Sequence, residues 1–300
     1  MRVRTFSSSR RPLGNRLKSL LALPGADLSA TASGPIDLAA TDDAATAADL
    51  VRDFAGKLPV WLDLDGAPTQ QNAKHNRRRE KAGIQAANLV TVATRGLWEE
   101  IREMTYRVVL LPDPVAPPSP VSGKATPLIG PAVGYVGAAD EPWQAEMVTD
   151  LARIARKLAV HIGGAAARHP AIIKAERALP NLHLHPDAGN ELWRRLRAAV
   201  FPYVVDTPTH NWLPAPLLAA WSEGVPTVTT PLGEVMRLPT PVLTATTAAG
   251  MAGQIDALLA TPDEAAEDGR ALQAFVETEH QPAQLAARLR ETLKGLENTI

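Results

Sequence analysis

The hydrophobic positions of the chain alternate between two spacings along its whole length. Short runs rich in Val, Leu and Thr, such as residues 88–94 and 107–111, are typical of buried strands. Longer stretches with apolar residues three and four apart, such as residues 44–54 and 144–158, predict amphipathic helices. Because strand and helix follow each other repeatedly, the pattern predicts an α/β fold with parallel sheets covered by helices.

A proline-rich stretch divides this alternation into two halves. Six prolines fall within residues 112–127, a composition that is typical of a stiff, extended linker. We predict an N-terminal Rossmann-like domain at 1–113, a linker at 114–127, and a C-terminal Rossmann-like domain at 128–300 that includes the last helices. Both domains are expected to be doubly wound sheets, with a cleft between them.

The composition predicts a globular protein. Hydrophobic residues make up 45% of the chain and charged residues 21%. No apolar run approaches the ~18 residues that a bilayer span needs, and the first residues lack the apolar core of a signal peptide. The sequence has no cysteine, which excludes disulfides and zinc–thiolate sites. We therefore expect a cytoplasmic protein without a transmembrane segment.

Basic residues are concentrated in the first half, where residues 1–113 carry a net charge of +3 against −4 for the rest. Two clusters follow predicted strands, and their members are Arg10, Arg11, Arg16, Lys74, Arg77, Arg78, Arg79 and Lys81. Loops that leave parallel strands emerge at one edge of the sheet, so we expect the clusters to converge. Phosphate groups of DNA or of a lipid carrier are the partners that such charge favours.

The most informative stretch runs from residue 210 to 234. A helix opened by Pro214 and closed by Gly224 precedes a β-branched strand and the turn that ends in Glu234. The core Gly224-Val225-Pro226-Thr227-Val228-Thr229-Thr230 resembles the C-terminal signature of the group-1 nucleotide-sugar glycosyltransferases, which have the GT-B fold. Gly14-Asn15-Arg16 and the order of Glu80 and residues 88–92 resemble segments of the N-terminal domain of that family.

The resemblance implies that the C-terminal domain binds a nucleotide-diphosphate sugar and that the N-terminal domain binds the acceptor. The implied donor-binding residues are Gly137, Gly163, Gly164, Arg168, Lys174, His210, Asn211, Thr230, Gly233 and Glu234. The implied acceptor-binding residues are Gly14, Asn15 and the eight basic residues named above. Such an enzyme works without a metal or a prosthetic group, because helix N-termini and backbone N–H groups stabilise the leaving diphosphate.

The predicted base lies at the end of the strand near residue 64. Asp63 and Asp65 are two residues apart, so they point to the same side of that strand. A carboxylate there is suited to remove the proton of an acceptor hydroxyl, and His75 is a further candidate. A turn-forming Asp65-Gly66 is the structural alternative.

Two other interpretations remain open. Ala219 and Asn211 occupy positions where the family usually has glutamates, which suits a non-catalytic GT-B-like binding or partner protein. A Rossmann-type oxidoreductase is disfavoured, because neither half contains the G-x-G-x-x-G fingerprint. His183 and His185 lie on one face of a predicted strand, but a third metal ligand is not found nearby. Donor sugar, stereochemistry, acceptor identity and oligomeric state are not specified by these patterns.

Overall fold

The computed structural model of the protein describes residues 1–6, 15–26, 28–30, 37–54, 57–64, 74–117, 128, 131–137, 142–205, 211–239 and 242–297. The chain divides into two compact units, each built on a six-stranded sheet. The first unit comprises Met1–Ala116, His210–Trp212 and Glu279–Ile300, and the second comprises Pro117–Thr209 and Leu213–Thr278. The predicted fold class of two parallel α/β sheets is confirmed.

The sheet of the first unit has the order β2-β1-β3-β4-β5-β6, and every pair is parallel. Its strands are β1 (Arg2–Thr5), β2 (Ser29–Ala30), β3 (Leu38–Thr41), β4 (Val60–Leu64), β5 (Leu89–Val92) and β6 (Val108–Leu110). The helices are α1 (Asn15–Leu21), α2 (Ala44–Phe54), α3 (Lys74–Ala86), α4 (Arg95–Arg102) and, from the far end of the chain, α10 (Pro282–Glu297). The direction of winding reverses between β1 and β3, and open α/β sheets bind ligands at the carboxyl ends of strands at such a point.

Strand alternation gives the first sheet two apolar faces. Leu38 and Trp61 face a core that α1 and α10 complete, whereas Ala39 and Leu62 face a core that α2, α3 and α4 complete. Both faces are covered, which is the usual condition of a parallel sheet.

The last helix packs against the first sheet, which differs from the sequence-based expectation. The sequence placed α10 with the second domain, but Leu285, Leu289 and Leu293 are buried with Leu17 and Leu20 against the first sheet. An amphipathic pattern requires that an apolar face be buried, yet it does not say against which sheet.

The sheet of the second unit has the order β12-β11-β10-β7-β8-β9, again with every pair parallel. Its strands are β7 (Ala132–Val136), β8 (Ala159–Gly163), β9 (Leu182–His185), β10 (Ala198–Phe201), β11 (Thr227–Thr229) and β12 (Leu243–Thr244). Its helices are α5 (Pro142–Ile154), α6 (Pro170–Glu176), α7 (Ala215–Ser222), α8 (Ala248–Ala260) and α9 (Pro262–Glu279). Short 3-10 helices occupy Gly164–Arg168, Asn190–Arg195 and Val235–Arg237. Read from β9 to β12, this is the strand order of the dinucleotide-binding Rossmann fold, and its switch point lies between β7 and β10.

Within the described part of the chain, none of the helices combines the length and the apolar character needed to cross a bilayer.

Candidate functional site

Two of the predicted glycine turns meet beside the switch point of the second sheet. Gly137 follows β7, Gly163 ends the neighbouring strand β8, and Gly164 begins the 3-10 helix after it; the Gly137 N–H donates to the Gly163 carbonyl at 3.3 Å. Gly164 has a φ of +69°, a left-handed conformation that favours glycine. A Cβ at Gly163 would lie 2.9 Å from a methyl carbon of Leu192, so side chains pack closely against this residue. The result is a pair of glycine turns at the carboxyl ends of adjacent strands, the edge at which open α/β sheets bind ligands.

Helix α7 begins next to this surface. Pro214 precedes it with extended backbone, and a Cβ on Gly137 would lie 3.6 Å from the ring of Pro216. The first N–H groups of a helix have no intrahelical partner, and they favour an anionic group in front of them. The amino end of α7 is therefore suited to stabilise a phosphate at the Gly137 turn.

The far end of α7 matches the predicted signature. Gly224 closes the helix with a φ of +69°, and Leu217, Leu218 and Trp221 are buried beneath it. The Trp221 indole donates to the Thr227 hydroxyl at 3.2 Å, so this tryptophan belongs to the core. The predicted helix, glycine stop and strand are confirmed, because each is present at the expected residues.

Glu234 is held at the turn beyond β11. Its side chain is almost fully buried, with 5% of its surface exposed, and it lies 3.7 Å from the Arg237 guanidinium. Thr230, also buried, accepts a hydrogen bond from the Tyr203 N–H through its hydroxyl at 3.1 Å. The loops after β10 and β11 are thus tied together, which fixes Glu234 at the carboxyl end of the sheet.

Two tyrosines at this edge were not anticipated from the sequence. Tyr203 follows β10 and stacks on Phe201 at 5.9 Å, and Tyr135, near the end of β7, packs edge-to-face on the same ring at 5.7 Å. Burial raises the pKa of the Tyr203 hydroxyl well above its usual value, so it stays protonated. Tyr135 lies on β7 and Tyr203 lies just after β10, and only the strand order shows that these two strands are neighbours at the switch point.

Other predicted donor residues lie elsewhere or are already engaged. Arg168 is exposed and pairs with Asp187 at 2.7 Å, and Lys174 lies in the last turn of α6, away from the carboxyl edge. Asn211 belongs to the first unit, where its amide donates to Glu100 at 3.3 Å. His210 lies outside the described residues.

In the first unit, Asp63, a predicted base, and Arg16, a predicted acceptor-binding residue, form a buried network. The Arg16 Nε lies 3.2 Å from Asp63, its Nη1 donates to Asp113 at 2.5 Å and its Nη2 donates to the Leu111 carbonyl at 2.6 Å. The Thr91 hydroxyl donates to Asp63 Oδ1 at 2.5 Å, the same carboxylate oxygen that accepts from the Arg16 Nε. Both ionic side chains are at most 3% exposed, so neither reaches an acceptor.

Burial raises the pKa of the Asp63 carboxyl, while the positive charge of Arg16 opposes the rise. The Asp63 carboxylate is buried because β4 is a central strand that is covered on both faces. Asp65 lies outside the described residues.

The second basic cluster forms the start of α3. Arg78, Arg79 and Lys81 are exposed there, and Arg79 pairs with Asp49 of α2. Lys74, His75 and Arg77 share this helix, and Asn15 begins α1, but the side chains of these four residues lie outside the description. Arg10, Arg11 and Gly14 lie outside the described residues altogether. β1 and β4, which precede the two clusters, are separated by β3.

A cation site is not found in the described part of the chain, where no three His, Asp or Glu side chains are placed to hold a metal ion.

Comparisons with known proteins agree with this architecture. The sequence profile of a family described as glycosyl transferase-like matches residues 141–291, about half of the chain. No curated protein sequence matches. The solved structure of HepE from Anabaena in complex with UDP is similar, with a TM-score of 0.75 and 13% identity, covering 98% of this chain and 100% of HepE.

Two further solved structures are similar over most of the chain. Sucrose-phosphate synthase from Thermosynechococcus elongatus has a TM-score of 0.65 and 14% identity, covering 88% of this chain and 75% of the synthase. TarM from S. aureus, in complex with fondaparinux, alpha-GlcNAc-glycerol and UDP, has a TM-score of 0.62 and 12% identity, covering 86% of this chain and 55% of TarM. At such identities the likeness concerns the fold, and it confirms the predicted architecture.

Proposed function

Because this chain belongs to the glycosyl transferase-like family, we propose that it moves a sugar from a nucleotide-diphosphate sugar to a hydroxyl group of an anionic acceptor. One observation carries the proposal: the Gly163-Gly164 turn, the start of α7 and the Glu234 turn, all within the family-matched residues, lie at one edge of the second sheet, beside the Gly137 turn. Nucleotide-sugar glycosyl transfer is the general activity of this family; the acceptor and the residues below are our proposals.

The donor diphosphate is expected at Gly137 and the amino end of α7. Charge that develops on the leaving diphosphate is stabilised by backbone N–H groups and by the helix terminus, so a metal is not needed for this step. Glu234 is proposed to accept hydrogen bonds from donor sugar hydroxyls. Because HepE has been crystallised with UDP and with UDP-glucose, a UDP-sugar is the first donor to test.

The acceptor is proposed to bind at the basic segments of the first unit. The loop with Arg10 and Arg11 follows β1, which borders the switch point of the first sheet, and α3 presents Arg78 and Lys81 to solvent. Phosphate groups on modified DNA, on a phosphorylated lipid or on a glycan suit this charge. Since Asp63 is buried in an ion pair, Asp65 and His75 remain the proposed bases.

The donor half of the proposal is tested with a panel of nucleotide sugars. We expect release of nucleotide diphosphate that depends on one sugar donor, that persists in the presence of a chelator, and that increases when duplex DNA or lipid phosphate is added. Glu234→Gln should weaken donor binding, whereas Glu267→Gln, an exposed change on α9, should not. The absence of nucleotide binding would refute the proposal.

The acceptor half is tested by charge reversal. Arg78→Glu is preferred to a change at Arg79, because Arg79 pairs with Asp49 and its loss would also alter helix packing. We expect weaker acceptor use, a shallower salt dependence and unchanged donor affinity, and the broader change of Arg77, Arg78 and Arg79 to Glu should act more strongly. The control is Arg177→Glu, which makes the same charge change on the second unit. Unchanged acceptor affinity in Arg78→Glu would refute this assignment.

A second candidate is a non-catalytic binding or partner protein, which the alanine at position 219 favours. Saturable nucleotide-sugar binding without nucleotide release under every acceptor condition would support this alternative.

A further inference from the structure

Three imidazoles lie together on one face of the second sheet. His161 is on β8, and His183 and His185 are on the edge strand β9, with His161 directly opposite His183 in the register. The ring of His161 stacks on both neighbours, with centroid distances of 4.9 Å and 5.1 Å. A hydrogen bond of 2.9 Å joins His161 Nδ1 to His185 Nε2. The sequence indicated His183 and His185, but His161 becomes part of the group only through strand pairing.

A guanidinium adds a further positive charge to this group. The 3-10 helix Asn190–Arg195 packs on the same face of the sheet. His161 and Gly163 are two residues apart on β8, so they face the same side, and Leu192 of the 3-10 helix lies where a Cβ of Gly163 would point. Arg195, at the end of this helix, is close enough to lower the pKa of both His161 and His185. The histidine cluster, by which we mean His161, His183, His185 and Arg195, therefore contains only basic groups.

Carboxylates near the cluster are engaged elsewhere. Asp187 pairs with Arg168, Glu191 accepts the Gly189 N–H at 2.8 Å, and Glu223 pairs with Arg194 at 2.5 Å. α6, which also contacts β9, carries Lys174 and Glu176, and Arg177 follows it; all three are exposed. Among the described residues, Arg195 makes no ion pair, and neither its Nε nor the buried His161 Nε2 has a hydrogen-bond partner.

We propose that His183, His185 and Arg195 form a binding site for a small oxyanion of the sulfate or phosphate type, with His161 as a positioning residue beneath it. The Arg195 Nε is a buried donor without a partner, which costs free energy, and an oxyanion supplies an acceptor for it together with the missing negative charge. His183 is exposed and His185 is half-buried, so the anion can reach the site from solvent. His161, only 4% exposed, holds His185 through the 2.9 Å hydrogen bond.

The same arrangement disfavours a metal ion. One of the two nitrogens in the His161–His185 hydrogen bond carries the proton and the other accepts it, so neither offers a lone pair to a metal. The neighbouring guanidinium also repels a cation.

Protonation of the imidazoles is expected to be coupled to anion binding. Burial, with the neighbouring positive charges, lowers the pKa of His161 to about 4 and also lowers the pKa of His185. A bound anion favours the imidazolium form and raises those pKa values. Affinity should therefore increase as pH falls from 8 to 5.5, by up to about tenfold per pH unit for each proton taken up.

The test uses sulfate, which keeps its charge over this pH range, and measures binding to the full chain by titration calorimetry. We expect saturable binding with proton uptake, seen as a dependence of the heat on the ionisation enthalpy of the buffer. Arg195→Gln should lose at least tenfold in affinity, and His185→Gln should reduce the pH dependence. Arg197→Gln, an exposed arginine two residues away, is the matched control and should bind normally.

Several outcomes would overturn the proposal. They are the absence of saturable sulfate binding, an equal loss in the two arginine variants, and a site that binds Zn²⁺ but not sulfate. Separate titrations with inorganic phosphate and with UDP distinguish the sources of the anion: competition by phosphate alone indicates a free-ion site, and competition by UDP indicates a nucleotide phosphate. The inference does not depend on sugar transfer, since a variant without transferase activity can still be tested for sulfate binding.

Discussion

At the scale of single residues, Arg16 shows how a charge can belong to the core. It contacts Asp63, Asp113 and the Leu111 carbonyl while its side chain is only 3% exposed. Arg16→Met leaves the Asp63 carboxylate buried without its cation, so we expect the free energy of unfolding in urea to fall by about 3–5 kcal/mol. Lys18→Met, two residues along α1 and exposed, should change it by less than about 0.5 kcal/mol. Equal changes in the free energy of unfolding for the two variants would mean that the Arg16 network does not contribute to stability.

His161 gives a prediction about pH at the same scale. Its folded pKa of about 4 lies below the unfolded value of 6.5, so the unfolded chain takes up the proton first. The stability that the neutral ring contributes is fully present above pH 6.5 and is lost as pH falls towards 4, by at most about 3 kcal/mol. His161→Leu should show a flatter decline of the free energy of unfolding over this range. Parallel pH curves for the two proteins would contradict the low pKa.

At the scale of elements, the contact between α9 and the end of α7 depends on two glycines. A Cβ on Gly269 would lie 2.1 Å from the Gly224 carbonyl oxygen, so Gly269→Ala must displace α9. We expect a loss of stability of about 1–3 kcal/mol and weaker nucleotide binding, because Gly224 joins α7 to β11. Gly253→Ala, within α8 and with nothing within 4 Å of the new Cβ, should instead stabilise by about 0.5–1 kcal/mol. In thermal unfolding, the melting temperature should fall for Gly269→Ala and rise for Gly253→Ala.

The sequence predicted individual elements better than it predicted their neighbours. The helix at 44–54 was found at its exact bounds, because Asp43 accepts the Ala45 N–H at 3.0 Å as an N-terminal side-chain acceptor, a local signal. The apolar face of α10 was equally clear from the sequence, yet the sheet that it packs against was not. An amphipathic pattern predicts that a face is buried, but it does not identify the surface that covers it. The burial of Asp63 was not predicted for a related reason. Its spacing from Asp65 can be read from the sequence, whereas the central position of β4 depends on the order of strands in the sheet.

At the scale of the whole molecule, the first unit is assembled from both ends of the chain. Leu289 of α10 is fully buried beside Leu17 and Leu20, so Leu289→Ala should cost about 2–5 kcal/mol of unfolding free energy. Leu296→Ala, at a partly buried position of the same helix, should cost clearly less. A fragment of residues 1–116 is expected to lack a cooperative urea transition until a peptide of residues 279–297 is added. Cooperative unfolding of the fragment alone would show that α10 is dispensable.

Because the first unit is built from both ends of the chain, its parts leave the ribosome at different times. The apolar side of α1 and of the first sheet is made early, but the helix that covers it emerges only after more than half of the polypeptide has followed. During that interval the nascent first unit exposes leucines that belong to a finished core, the kind of surface on which chaperones act. The second unit, continuous apart from residues 210–212, can fold first, so the order of folding in the cell is expected to reverse the order of translation.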